Sequence, residues 1–266
     1  MIKVAITGVA GRMGKTLVQA LQAADGMILG AAFEHPDNPA VGLDVGEVAG
    51  VGTLGVTVSG DPAGCVQDFD VVVDFTVPAA TLALLEVCQN HQKAMVIGTT
   101  GFSDSQMSQL QEGAYASAIF MAPNMSVGVN LMFKLIEIAA SALGDTVDVE
   151  VIEAHHRDKI DAPSGTALKI GEVLAQALSR DLDKDAIYGR QGITSTRDRA
   201  SIGFSTLRGG DIVGEHTVLY AGEGERLEIT HRASSRTNFA QGALHAVRYV
   251  SDKPPGLYDM QGLLGL

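Results

Sequence analysis

The chain has 266 residues, 46% of them hydrophobic and 19% charged, enough apolar content for one large folded domain or two modest ones. Its formal net charge of −12 argues against a nucleic-acid partner, whose phosphate backbone needs a basic face, although an acidic whole leaves room for a local basic cluster. Two cysteines, Cys65 and Cys88, fit reduced thiols of a cytoplasmic protein rather than a disulfide framework.

The first residues run directly into a strand pattern, without the apolar core and cleavage site of a signal peptide. Ile2–Thr7 is an apolar run ending in glycines, and Met13, Leu17, Val18 and Leu21 behind it keep helical spacing. Met27–Phe33 reads as a second strand. Residues 70–75, Ala94–Ile97 and residues 118–122 are further short runs rich in β-branched and small side chains. Residues 79–91 and 103–115 keep helical spacing between them. This alternation predicts an α/β fold with a parallel, Rossmann-like sheet covered by helices on both faces.

Past Asn124 the texture changes. Val127–Leu143 reads as one long buried helix with Ser126 as N-cap, and Asn130, Lys134 and Glu137 break its apolar run, so no membrane-spanning segment is expected. Residues 146–154 alternate like a strand, and residues 164–178 form a helix. Residues 201–208, 213–221 and Arg226–Ala233 are strand candidates joined by glycine-containing turns. They predict a second α+β domain with a mixed or antiparallel sheet. The polar residues 191–200 read as a mobile loop or an oligomer contact. A last helix over residues 235–249 has a face to pack against the first domain, although the pattern alone does not fix its place.

Gly8, Gly11 and Gly14 stand in G-V-A-G-R-M-G, after the first strand and opening the first helix. Glycines there let the backbone turn and approach a pyrophosphate resting on the helix N-terminus. Ala10 occupies the place of the usual second glycine. Glu34 closes the second strand candidate, where a carboxylate accepts hydrogen bonds from an adenosine ribose and disfavours a 2′-phosphate. His35, Arg12 and Lys15 can offset that repulsion. G-K-T at Gly14–Thr16 is not a P-loop, because Val9 stands where its first glycine is required. Two further segments fit the carboxyl edge of a parallel sheet, Gly98-Thr99-Thr100-Gly101 and Ala122-Pro123-Asn124-Met125.

The densest chemistry lies in E-A-H-H-R-D-K-I-D-A-P-S-G-T-A, residues 153–167. In an extended segment His155 and His156 point to opposite faces, so they do not form a metal-chelating pair, and no cysteine cluster or H-E-x-x-H accompanies them. One histidine suits proton transfer near neutral pH, and Lys159 adds a cation. Ser164 sits at a helix N-cap, where the amides of Gly165 and Thr166 and the helix dipole favour a carboxylate. The set points to a small anionic substrate.

This stretch resembles the signature of the dihydrodipicolinate reductase family, and the resemblance extends along the chain. G-V-A-G-R-M-G, D-F-T, V-I-G-T-T-G-F, N-M-S-V-G-V-N, G-D-I-V-G-E-H-T and A-S-S-R-T-N-F-A occur as family-like blocks in family order. The resemblance implies a dinucleotide-binding domain over residues 1–125 and 236–266, and a substrate-binding and oligomerisation domain over residues 126–235 that builds a homotetramer. It implies NADH- or NADPH-dependent reduction of a cyclic dicarboxylate in lysine biosynthesis. Carried onto this chain, His155 is the general acid/base and Lys159 a proton donor that also meets a carboxylate. His156, Ser164, Gly165, Thr166 and Arg236 bind substrate. Gly8, Val9, Ala10, Gly11, Arg12, Met13, Glu34, Gly98, Thr99, Thr100, Ala122, Pro123, Asn124 and Met125 line the cofactor site, with no metal. His35 and Val77 stand where some members carry basic residues, which predicts a preference for NADH. Domain closure about Asn124 and Arg236 is a further expectation. Two rivals compete: another two-domain oxidoreductase acting on an amino acid or carbonyl acid, and a non-catalytic dinucleotide sensor. Neither has a reason to keep His-His-x-x-Lys ahead of Pro-Ser-Gly-Thr.

Overall fold

A computed structural model describes residues 1–266 and divides the chain into two units: Met1–Val127 with Arg236–Leu266, and Gly128–Ser235. In chain order the first stretch holds β1 (Ile2–Thr7), α1 (Arg12–Gln22), β2 (Met27–Phe33), α2 (Val45–Ala49), β3 (Val58–Ser59), β4 (Val71–Asp74), α3 (Pro78–His91), β5 (Ala94–Ile97), α4 (Asp104–Gly113) and β6 (Ala118–Met121). Next come α5 (Val127–Leu143), β7 (Asp148–His155), α6 (Gly165–Ala177), α7 (Leu182–Asp185), β8 (Ala186–Tyr188), β9 (Ile202–Arg208), β10 (Gly214–Ala221) and β11 (Arg226–Ala233). The chain ends with α8 (Thr237–Val250), β12 (Gly256–Tyr258) and α9 (Met260–Leu264).

The first unit is built on a seven-stranded sheet in the order β12-β6-β5-β4-β1-β2-β3, and every pairing in it is parallel. Connections run from β1 outward to β2 and then back across to β4, so the strand order reverses between β1 and β4. Loops leaving the carboxyl ends of those strands diverge and open a crevice there, the place where such sheets bind ligands. Valine-rich strands are buried on both faces, as β4 shows: Val71, Val72 and Val73 are fully buried. One face packs against α1 and α8 through Leu17, Val18, Ala243, Leu244 and Val247. The other packs against α3 and α4 through Leu84, Leu85, Cys88 and Leu110. Helix α8 thus belongs to this unit, and β12 adds an edge strand beside β6. Burial pushes the Cys88 thiol up to about 12, which makes it inert packing.

The second unit carries a five-stranded mixed sheet in the order β11-β10-β7-β9-β8. Strand β10 is antiparallel to β7 and β11, whereas β9 is parallel to β7 and β8. Val149, Val151, Phe204, Val218 and Tyr220 point from one face onto Met132, Ile136 and Ala140 of α5 and Ile170 and Leu174 of α6. The Tyr220 hydroxyl, buried with its ring, donates to the Ile136 carbonyl at 2.8 Å.

Two expectations change. The segment Val127–Thr146, 20 residues of mean hydropathy 1.5, does reach the length and apolarity of a membrane span, because three polar residues dilute its leucines and isoleucines too little. Its stripe of Met132, Ile136 and Ala140 sits in the second unit's core, but the helix is not buried all round as expected, because Leu131, Leu135 and Ile138 are exposed. The polar segment at 191–200 is an irregular, mostly exposed loop anchored at Arg197, whose guanidinium bonds Asp148, Glu150 and the carbonyls of Val149 and Ser201, all within 3.0 Å.

Candidate active site

In the first unit, β1 delivers the glycine loop to the carboxyl edge of the sheet. Gly8 takes a left-handed conformation, φ +68°, and accepts the Gly11 amide at 3.0 Å. Gly14 is forced by close approach, since a Cβ there would lie 2.2 Å from the Gly8 carbonyl oxygen. Gly11 is the N-cap of α1 and supplies no side chain to its amides, which leaves that helix start open to an anion. Val9 is fully buried and holds the loop down, while Ala10, Gly11, Arg12 and Met13 stay at least partly exposed. Glu34 ends β2 beside this loop: its carboxylate accepts from the Ala10 amide and the His35 amide, each at 3.0 Å. Carboxylate oxygens retain further acceptor capacity, so both bonds orient Glu34 without exhausting it. A cavity of about 500 Å³ opens here, lined by Gly8, Glu34, His35, Thr76 and Val77 among others. A dinucleotide fits this cradle: glycine backbone, an uncapped helix start and a carboxylate lie at one strand edge.

Gly98, Thr99 and Thr100 follow β5, and Ala122, Pro123, Asn124 and Met125 follow β6, on the same edge. Their side chains divide. Gly98, Thr100, Pro123 and Asn124 are accessible; Ala122 and Met125 are buried in the core. Thr99 differs from the expectation for a contact side chain. Its hydroxyl is turned inward, accepting the Thr76 amide at 3.0 Å and facing the fully buried Asp74. Asp74 also accepts from Thr76 Oγ1 at 2.6 Å and from the Thr81 hydroxyl. Burial pushes its carboxyl above the ordinary range, and the threonine hydroxyls only partly offset this.

In the second unit the period of β7 places Glu153 and His155 on the helix-covered face, while His156 lies just past the strand end. His155 Nδ1 lies 2.6 Å from Glu153 Oε2. Glu153 is 1% exposed and also receives both Arg208 amino groups at 2.8 Å and the Ser164 amide at 3.1 Å. Burial alone would raise its carboxyl. Arg208, His155 and Ser164 outweigh that and hold it below the usual range. For His155 burial dominates in the other direction, and its pKa is lowered despite Glu153.

The antiparallel register sets His216 of β10 directly across from Glu153. Its ring stands 5.2 Å from the His155 ring, edge to face. Burial takes His216 down to about 4, so it is neutral at physiological pH. Its Nε2 pairs with Ser164 Oγ at 2.9 Å, and the same oxygen caps α6 by accepting the Ala167 amide at 3.2 Å. Ser164, 2% exposed, is therefore committed inward rather than offered to a substrate. Gly165 and Thr166 begin α6 and are accessible. Lys159 Nζ pairs with Asp161 at 2.8 Å.

Sequence reasoning assembles His155, Lys159, Ser164, Gly165 and Thr166 into one cluster, and the unit contains them together. Arg236, immediately before α8, lies in the other unit. Arg208 and His216 were missed. The signal for His216 was its alternation with Val218 and Tyr220 on the apolar face of β10, which marks a polar side chain placed in a core. Nothing local marks Arg208.

Chemically the cluster is a histidine backed by a buried carboxylate, beside a lysine and a helix start. Family models match nearly the whole chain: "Dihydrodipicolinate reductase, N-terminus" over residues 2–125 and "Dihydrodipicolinate reductase, C-terminus" over residues 128–264. A solved structure of dipicolinate-bound dihydrodipicolinate reductase from Paenisporosarcina sp. TG-14 is similar with a TM-score of 0.79 and 27% identity, covering 98% of each chain. An amine dehydrogenase from Mycobacterium smegmatis shares the fold at TM-score 0.61 and 16% identity, over 98% of this chain and 95% of that one. An oxidoreductase from Agrobacterium radiobacter, solved with NAD+, L-tartaric acid and magnesium, shares it at TM-score 0.55 and 12% identity, over 94% and 87%. With both halves matched in order, the chain belongs to the dihydrodipicolinate reductase family.

Proposed function

We propose that this protein reduces 4-hydroxy-tetrahydrodipicolinate to tetrahydrodipicolinate, with loss of water, in the diaminopimelate route to lysine. The match of both halves of the chain to the reductase family carries the reading. NAD(P)H, held by Gly8–Met13, Glu34 and the loops after β5 and β6, supplies the hydride.

The overall reaction consumes one proton as the hydroxyl leaves as water. His155 is the proton-transfer residue: Glu153 occupies its Nδ1, and its Nε2 lies beside Gly214, where an added Cβ would stand 3.0 Å away. Lys159 exchanges its Asp161 partner for a substrate carboxylate and assists protonation. His156, Gly165 and Thr166 bind the substrate, Arg236 meets a second carboxylate, and Ser164 holds α6 in place for them. Residues 1–125 with 236–266 serve as the dinucleotide-binding domain and residues 126–235 as the substrate and assembly domain.

NADH is the preferred cofactor. Glu34 repels a 2′-phosphate, and the cavity beside it presents His35 and uncharged Val77 rather than fixed cations. The protein is cytoplasmic and assembles as a homotetramer through the sheet face of the second unit that no helix covers. That face carries Ile152, Leu207 and Leu219, the Thr217–Thr230 hydroxyl pair at 3.0 Å and the Glu215–Arg232 ion pair at 3.1 Å.

The test supplies aspartate semialdehyde, pyruvate and the upstream synthase, and follows NAD(P)H absorbance. Oxidation dependent on this chain is expected. No oxidation would favour the rival dehydrogenase or sensor readings. A lower Michaelis constant for NADPH than for NADH would overturn the cofactor preference. A monomeric mass by light scattering would overturn the assembly.

A further inference from the structure

Glu153 is saturated with donors. Oε2 faces His155 Nδ1 at 2.6 Å and Arg208 Nη1 at 2.8 Å; Oε1 faces Arg208 Nη2 at 2.8 Å and the Ser164 amide at 3.1 Å. Arg208 is itself tied to the carbonyls of Leu207 and Asp161, both at 2.6 Å. A two-toothed guanidinium clamp with both ends anchored leaves the carboxylate no freedom to rotate.

We propose that Glu153, clamped by Arg208, is a positioning residue that fixes the proton of neutral His155 on Nδ1 and so makes Nε2 the nitrogen that exchanges protons with the substrate. This rests on the assignment of His155 as the proton-transfer residue.

The chemistry is direct. An ionised carboxylate is only an acceptor, and a neutral imidazole carries one N–H, so a 2.6 Å contact requires that proton at Nδ1. The lone pair is then left at Nε2, at the Gly214 end of the ring, 3.0 Å from where an alanine Cβ would stand. When Nε2 takes up a proton, the same carboxylate balances the imidazolium.

Charges around the ring make Glu153 decisive. Arg208 on β9 and Lys159 in the loop after β7 oppose protonation of His155, as does burial. His216 on β10 faces the ring as a neutral neighbour, and α6 presents the uncharged Ser164. Glu153 is the anion that counters them from β7 itself. Without it, the His155 pKa would fall further, and an imidazolium formed during proton transfer would have no buried counter-charge.

The experiment is a long-range proton–nitrogen spectrum of the full-length protein with nitrogen-15 in its histidines, recorded across pH. A His155 signal showing the Nδ1–H tautomer is expected; an Nε2–H tautomer in the unaltered protein overturns the proposal without any variant. In Glu153→Gln the tautomers should mix and the His155 titration midpoint should fall by about 1 pH unit or more. The acid limb of kcat/KM should move with it. Turnover should drop about tenfold or more with KM within about threefold. Glu153→Asp keeps the charge one methylene further away; it should give an intermediate midpoint, and it replaces the glutamine variant if that fails to fold. A folded Glu153→Gln protein with unchanged tautomer and midpoint overturns the proposal, even if its stability is lower. If His155→Ala retains full turnover, the proton-transfer assignment fails instead, while the tautomer result still reports on Glu153.

Discussion

Each unit buries one carboxylate at the end of a strand, and the two are solvated in opposite ways. Asp74 at the end of β4 is surrounded by threonine hydroxyls, and burial raises its pKa. Glu153 near the end of β7 is gripped by a guanidinium and an imidazole, and its pKa falls despite comparable burial. Hydroxyls supply hydrogen bonds without charge, so they satisfy a carboxyl in either protonation state. A cation satisfies only the anion. Asp74 thus behaves as a knot that fixes the loops of the first unit, including Thr99. Glu153 is a permanent charge whose field and geometry reach His155.

The largest test of this contrast removes the cation. Arg208→Met leaves Glu153 buried without its main partner, which should cost the second unit about 3–5 kcal/mol, read as a shift in urea midpoint. A cost below about 1 kcal/mol would show that Glu153 had simply taken a proton, as an Asp74-like group would.

Acidification separates the two next. His216 binds its proton near pH 4 in the folded unit and near 6.5 when unfolded, so the unfolded chain holds more protons between those values. Stability from this group is complete above about 6.5 and is lost as the pH falls toward 4, by about 3 kcal/mol. The lowered pKa of Glu153 adds a further loss in more acid solution, below its unfolded value. Asp74, with its raised pKa, acts with the opposite sign: its contribution declines as pH rises through the folded value. Urea midpoints at pH 7 and pH 5 should therefore differ markedly, and His216→Gln should flatten the difference.

His155→Ala and Lys159→Ala should each lower turnover by about 100-fold in the coupled assay. Losses under about tenfold would end their assignment as proton donors. Gly214→Ala, whose methyl would crowd His155 Nε2 without touching Glu153, should lower turnover about tenfold while leaving the Nδ1 tautomer intact. The smallest effect belongs to the other carboxylate. Asp74→Asn, among hydroxyls that can rotate to suit an amide, should cost about 1 kcal/mol and leave the acid limb of the rate profile unmoved. A shifted limb would mean that the two carboxylates share a function.

The periodic parts of both units were readable directly. Strands β1, β2 and β5 and helix α5 have the expected bounds to the residue, because short apolar runs and amphipathic stripes report burial locally. Strands β3, β8 and β12 were not visible. With two or three residues each, they exist because a neighbouring strand offers a ladder edge, which short segments do not encode. The stretch at residues 153–167 was equally legible up to a point. His155 and Lys159 carry their chemistry in their side chains, and Ser164 announces a helix start. Arg208 and His216, the partners around His155, lie more than 50 residues downstream of it and arrive only through the registers of β9 and β10 on β7. Ser164 and Thr99 show the reverse case: residue types suited to ligand contact, turned inward because a buried histidine and a buried aspartate needed them.

Helix α8 lies in the core of the first unit through Ala240, Ala243, Leu244 and Val247, although it is made after the whole of the second unit. During synthesis the first 127 residues therefore leave the ribosome with one side of their sheet lacking this cover. The second unit, contiguous in sequence, is able to complete its own core first. Valine-rich strands left waiting in this way are an aggregation hazard, so chain yield should be more sensitive to truncation inside α8 than to changes of similar size in the 191–200 loop.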